Sequence, residues 1–307
     1  MNRKVRSLLT ILLLAVFISS VVMIFKNQAD DAESEEALQL ALSMAAVSPA
    51  PSPEPTPEPT PVPTPEPTTA PTPEPAPTPE PTPEPTPKTI QIAVMNAEPS
   101  PPLWRPVPVP EDDKELAVLE ALDPEALRQA NEDVVGWIYI ADSPINYPLL
   151  HGDDNSFYLS STWLGEPNYA GSIFLEHKNS PDFTDFNTVI YGHNMNNGSM
   201  FGSLRSYQYN KYYEEHPYVY LVTESGIFRC EVFAAYAAKL DSPAYTLGFP
   251  TEESRRDFID YARDMSCIDM PVSPAATDRI ITLSTCTSHG DDYRWVVQAR
   301  LEMVKDE

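Results

Sequence analysis

The chain has 307 residues, 35 prolines and a formal net charge of −25. Nineteen of the prolines fall between residues 49 and 87; that segment cannot build a packed core, which leaves about 190 residues for folded structure, enough for one domain with a sizeable core. An acidic chain of this kind repels phosphate backbones, which argues against nucleic acid as a partner.

The N-terminus reads MNRKVRS, then LLTILLLAVFISSVVMIF, then KNQADD. The apolar run 8–25 has 18 residues without a charge, and as a helix it spans about 27 Å, close to the thickness of a bilayer core. Arg3, Lys4 and Arg6 precede it, and Asp30, Asp31, Glu33, Glu35 and Glu36 follow it. That asymmetry keeps the N-terminus inside and sends the rest of the chain outside. A cleaved signal peptide is the rival, but its apolar region is shorter, about 7–15 residues, with small residues at the cleavage site. Lys26-Asn27-Gln28 makes a poor one. Residues 1–29 are therefore predicted to be a cytoplasmic tip and single-pass membrane anchor, with the remainder extracellular.

From residue 48 to 88 the chain repeats Pro-Glu-Pro-Thr-Pro with small variations. Proline at alternate positions removes N–H donors and fixes φ, which forbids helix and sheet. Forty such residues in polyproline II extend on the order of 120 Å, and the glutamates oppose collapse. Residues 30–110 are predicted to be a disordered extracellular spacer. It is either a stalk lifting the following domain off the membrane or a linker with no length requirement.

Folded sequence is predicted for 111–307. Residues 114–131 have helical periodicity broken at Asp123-Pro124, an Asp cap followed by a first-turn proline, so two short helices are expected. Eight strand-like runs follow, at 136–141, 145–150, 171–177, 188–193, 218–222, 226–239, 279–286 and 294–304, bounded by Gly, Pro, Asn or Asp. Eight strands with few helices imply a mainly β fold, a closed barrel or a sandwich. Short helical turns are expected within 199–215. A clearer helix is expected over 251–265, capped by Thr251 with Ser254 three residues on, its apolar face made by Phe258, Ile259, Tyr261 and Ala262. It interrupts the late strands over one end of the sheet.

The three cysteines, Cys230, Cys267 and Cys286, have no metal-ligand spacing, and their odd number leaves at least one thiol free within the chain. Cys230 lies in an apolar strand run and Cys267 lacks close basic neighbours, so both are read as structural. Cys286 ends the run 280–286, where a sheet fixes a residue and leaves it open to solvent. Arg294 opens the next strand; a tight antiparallel connection brings it beside Cys286, where a guanidinium favours thiolate and binds a developing oxyanion. His193 ends the apolar run TVIYGH between Gly192 and Asn194. The group His151, Asp153, Asp154 and the group His289, Asp291, Asp292 read as polar turns. Trp137, Trp163 and Trp295 read as core or groove aromatics. Neither a metal nor a cofactor is expected.

TVIYGHNM (188–195), TLSTC (282–286) and RWVVQARL (294–301) resemble, in this order, the three signature regions of sortases. Asn131-x-Asp-x-x-Gly-Trp-Ile, Ile145-Asn-Tyr-Pro-Leu and Ala170-Gly-Ser-Ile-Phe-Leu are similar to class B of that family, and the likeness covers about 111–307. The resemblance implies an eight-stranded sortase-type β-barrel and a cysteine transpeptidase. In it, Cys286 attacks the Thr carbonyl of a C-terminal sorting motif on a surface protein. An amine, from a peptidoglycan cross-bridge or a pilin lysine, resolves the thioacyl-enzyme. His193 carries the proton and Arg294 holds the oxyanion or the substrate backbone. By the same resemblance Ser284, Asn155 and Leu159 touch the substrate, and the loop 242–249 with the helix after it helps set motif preference. Some class B members carry an acid just after the cysteine; here Thr287 and Ser288 stand in that region, so no acid is assigned to His193. Two alternatives stay open: a cysteine peptidase releasing the acyl group to water, and a catalytically inactive stalked binding domain.

Overall fold

The computed structural model describes residues 3–46, 113–286 and 292–306, and for residues 3–11, 14, 15, 18, 286 and 306 the backbone alone. Met1–Ser48 and Leu103–Glu307 form one unit; Pro49–Pro102 form another, which lies outside the described residues together with most of the expected spacer.

All eight predicted strand runs are strands. They are β1 (Val134–Tyr139), β2 (Asn146–Leu150), β3 (Ile173–Leu175), β4 (Asn187–Tyr191), β5 (Tyr218–Thr223), β6 (Gly226–Lys239), β7 (Arg279–Cys286) and β8 (Tyr293–Asp306). They close into a barrel in the order β1-β2-β3-β4-β7-β8-β6-β5, which settles barrel against sandwich. The β2–β3 and β4–β7 pairs are parallel and the others antiparallel. β3 is shorter than predicted because Gly171, at φ 61°, turns the chain just ahead of it. Ile138, Leu149, Ile190, Leu221, Phe228 and Val297 belong to the cluster that fills the core.

The predicted helix pair appears as α2 (Lys114–Leu119) and α3 (Pro124–Arg128), the second capped by Asp123, whose carboxylate accepts from Glu125 and Ala126 N–H. The expected turns lie at Gly202–Gln208 and in α4 (Asn210–Glu215). α5 (Glu252–Met265) carries a full capping box between Thr251 and Ser254 and buries Phe258, Ile259 and Ala262 against Phe233, Tyr236 and Val296.

One long element departs from expectation. α1 runs from Arg3 to Ala45, so residues 30–45, read from sequence as the start of the spacer, are helical. The cause is local: the acidic stretch leads into EEALQLALSMA, rich in strong helix formers, with Leu38, Ala41, Leu42 and Ala45 at helical spacing. Ala41 and Ala45 are fully buried with Leu119, Leu127, Trp137 and Trp163. Trp163 Nε1 donates to the Ala37 carbonyl at 2.7 Å, Asn168 Nδ2 to the Asp30 carbonyl at 2.8 Å, and Tyr169 OH to Asp31 at 2.5 Å. At the end of α1, Asp123 N–H donates to the Ala45 carbonyl at 2.7 Å and Ala46 bridges Leu122. Residues 47–112 thus connect two segments that are hydrogen-bonded to each other. The apolar run 8–25 is the first half of α1, with Val22, Met23, Ile24 and Phe25 exposed. Among the described residues no helix is long and apolar enough to cross a membrane.

Candidate functional site

Three strand ends meet at one end of the barrel. β4 runs parallel to β7 with Tyr191 opposite Ser284, and Gly192 N–H extends the pairing to the Ser284 carbonyl at 3.2 Å. β7 pairs with β8 so that Cys286 stands opposite Arg294. The backbone therefore gathers positions 193, 286 and 294, which are far apart in sequence. The side chain of Cys286, and residues 287–291 with the Thr287, Ser288, His289 and Asp291 considered above, lie outside the described residues.

His193 is held through backbone. Its Nε2 lies 2.7 Å from the Leu159 carbonyl oxygen. A carbonyl only accepts, so Nε2 carries the proton, and in the neutral ring Nδ1 is the basic nitrogen. Two glycines make this geometry possible. A Cβ on Gly192 would stand 2.5 Å from Ile173 Cδ1 and 2.8 Å from the Phe201 ring. A Cβ on Gly171 would stand 2.6 Å from the Tyr158 carbonyl and 2.8 Å from that of Leu159. The close approach at Gly171, with Ser172 N–H bonded to the Tyr158 carbonyl at 2.9 Å, fixes the Leu159 carbonyl that meets the imidazole.

A buried carboxylate organises the neighbouring wall. Glu176, 7% exposed just past β3, accepts from Asn155 Nδ2 at 2.6 Å and from Tyr191 OH at 3.0 Å. His177 Nδ1 lies 2.8 Å from its other oxygen, near enough to pair when protonated but not aligned as a hydrogen bond. Asn155 Oδ1 accepts from His177 N–H at 2.9 Å, which fixes the flip of the amide and leaves one Nδ2 hydrogen to offer a ligand. Burial chiefly, then the charge and hydrogen bond of Glu176, push the Tyr191 phenol far up; the Arg294 charge pulls the other way. Arg294 itself donates to the Tyr293 carbonyl at 3.0 Å. On the far side Ser284 Oγ lies 2.9 Å from Tyr245 OH.

All six residues singled out from sequence, His193, Cys286, Arg294, Asn155, Leu159 and Ser284, thus belong to one neighbourhood, Cys286 by its backbone. Leu159 is 43% exposed, and its carbonyl holds His193. Glu176 and Tyr191 went unread: an acid after a short apolar run and a tyrosine within one carry no local signal. Tyr245 falls in the loop 242–249. Cys230 is fully buried and its thiol is pushed well up by desolvation, whereas Cys267 lies on the surface. Asp154 accepts from Ser156 and Phe157 N–H, and these bonds lower its pKa. Among the described residues no three His, Cys, Asp or Glu side chains group to hold a metal.

The family model of the sortase domain matches residues 138–302. A sortase B of Listeria monocytogenes is 39% identical over 180 residues, 57% of this chain and 72% of that protein. The solved Staphylococcus aureus sortase B–substrate complex superposes with a TM-score of 0.57 at 32% identity, covering 59% of this chain and 85% of that one. The structure of sortase B from Listeria monocytogenes gives 0.53 at 37% identity, covering 57% and 97%.

Proposed function

Because the chain belongs to the sortase family and is a class B-like cysteine transpeptidase, we propose that it is anchored in the cell membrane and cleaves a sorting motif after Thr. It then transfers the protein to an amine of the cell wall. Cys286 thiolate adds to the Thr carbonyl carbon, and Arg294 balances the charge on the carbonyl oxygen. The C–N bond breaks, His193 protonates the departing amine, and a thioester remains. The incoming amine adds to that thioester, His193 takes its proton, and the C–S bond breaks to return the thiolate. Asn155, Ser284 and Leu159 hold the peptide. Residues 1–29 anchor the chain, 47–110 lie outside the cell and 111–307 carry catalysis. Support for the anchor is the uncharged run 8–25 with its basic flank.

One observation carries the catalytic roles: the ends of β4, β7 and β8 lie side by side, with Cys286 opposite Arg294 and the His193 ring tied to the Leu159 carbonyl. The test is to incubate the full-length chain in detergent with a library of C-terminal sorting peptides, with and without added amine, and to weigh the products. A thioester on Cys286 and an amide-linked product are expected when amine is present. Free acid alone at saturating amine would make the enzyme a peptidase, and no adduct on Cys286 with any peptide would remove it as nucleophile.

A further inference from the structure

A completed chain of buried polar groups crosses the barrel wall behind the site. Tyr236 OH donates to Gln298 Oε1 at 3.1 Å, Gln298 Nε2 to Thr282 Oγ1 at 2.9 Å, and Thr282 Oγ1 to Asn187 Oδ1 at 2.7 Å. Asn187 Nδ2 then spends both hydrogens on main chain, the carbonyls of Ala244 at 3.1 Å and Thr246 at 3.0 Å. Asn187, Thr282 and Gln298 are each 0% exposed. The directions are fixed: the Thr282 hydroxyl donates once and accepts once, so the Asn187 amide presents its oxygen to the sheet and its nitrogen to the loop.

The two carbonyls that receive that nitrogen flank Tyr245. This residue ends the 3-10 turn Pro243–Tyr245, which is in no sheet ladder. Its hydroxyl meets Ser284 Oγ, two residues before Cys286. Phe249 stacks edge-on against Phe186 with ring centres 4.6 Å apart, and Ala244 is buried in the cluster under α5, but these apolar contacts leave the direction of the Ala244 and Thr246 carbonyls to Asn187. Buried polar chains are no more stabilising than apolar packing of the same shape, so stability alone does not account for this one. What it does is aim one loop at one hydroxyl.

We propose that Asn187 is a specificity-determining positioning residue: by clamping the carbonyls of Ala244 and Thr246 it seats Tyr245 on Ser284 and shapes the groove wall that receives the sorting peptide. The inference rests on the reading of Cys286 as the nucleophile of that groove. The substitution N187D keeps an acceptor for Thr282 but turns a second oxygen toward two carbonyls. In the full-length enzyme it should retain the circular dichroism of the fold. It should lower kcat/KM on the best peptide about ten- to a hundredfold, mostly through KM, and change the ranking of peptides in the library. Cys286 should still react with a small thiol reagent at the wild-type rate. Tyr245→Phe, made outside the barrel core, should change the ranking in the same direction, and the double variant should add little. Wild-type ranking and KM in a folded N187D would overturn the proposal. If N187D does not fold, Tyr245→Phe decides alone, and an unchanged ranking there overturns it. Failure of the wild-type protein to form any adduct on Cys286 would instead strike the underlying assignment, and is scored first.

Discussion

The open end of the barrel and the face under α1, α2 and α3 are held by different forces. At the open end polar groups are tied by directional bonds: His193 to the Leu159 carbonyl, Asn155 and Tyr191 to Glu176, Ser284 to Tyr245. Under the helices the contacts are mostly apolar, with Ala41, Ala45, Leu119, Leu127, Trp137 and Trp163 all buried. Directional bonds fix where a few atoms point; apolar burial fixes whether the parts stay together. A substitution at the open end should therefore remove chemistry and spare stability, and one beneath the helices should do the reverse.

The largest effect sharpens the first half of that contrast. Cys286→Ala should abolish acyl-enzyme formation. His193→Ala and Arg294→Ala should each cut turnover by about 10²- to 10⁴-fold, the range for a lost acid–base group or oxyanion partner. The melting temperatures of the His193 and Arg294 variants should stay within about 2 °C, since both side chains are only half-buried. Near-normal turnover in either of the last two would take that residue out of the mechanism. The second half predicts the opposite profile for Trp163→Ala. That side chain is 4% exposed and donates to the Ala37 carbonyl, so its loss should cost about 3–5 kcal/mol by urea unfolding. The fraction still folded should turn over soluble peptide normally; a selective loss of kcat at unchanged stability would show that α1 feeds the site.

Legibility follows the same divide. The strands were readable because each run rich in Val, Ile, Tyr and Phe and each bounding Gly, Pro, Asn or Asp is local, and Cys286, His193 and Arg294 stood out because they lie at strand ends in a familiar motif order. Glu176 and Asn187 were not readable, since their importance lies in partners brought close only by folding: Asn155 and Tyr191 for one, Thr282 and the carbonyls of Ala244 and Thr246 for the other. The second half of α1 was missed for another reason. Its acidity and the proline repeat after it drew residues 30–45 into the spacer, although Leu38, Ala41, Leu42 and Ala45 lie on one helical stripe that α3 and the barrel bury.

That correction changes what the proline repeat can do, and yields the smallest predicted effect. A stalk must lie between the anchor and the domain it lifts. Here α1 joins the run 8–25 to the barrel without interruption, and residues 47–112 link Ala46 to Asp113, beyond contacts that already fasten Ala45 to Asp123. If residues 8–25 sit in a membrane as proposed, the reach of the repeat therefore adds nothing to the separation of that run from the barrel. Excising residues 55–105 leaves 47–54 and 106–112, a connection of 15 residues that spans up to about 50 Å when extended. Activity on soluble peptide should not change, and a shorter closed loop should raise stability by only about 1.3 kcal/mol. Energy transfer from a dye on the barrel to a labelled bilayer should match that of the full chain. A barrel that moves toward the membrane on excision would restore the repeat as a stalk and show that α1 does not hold the two together.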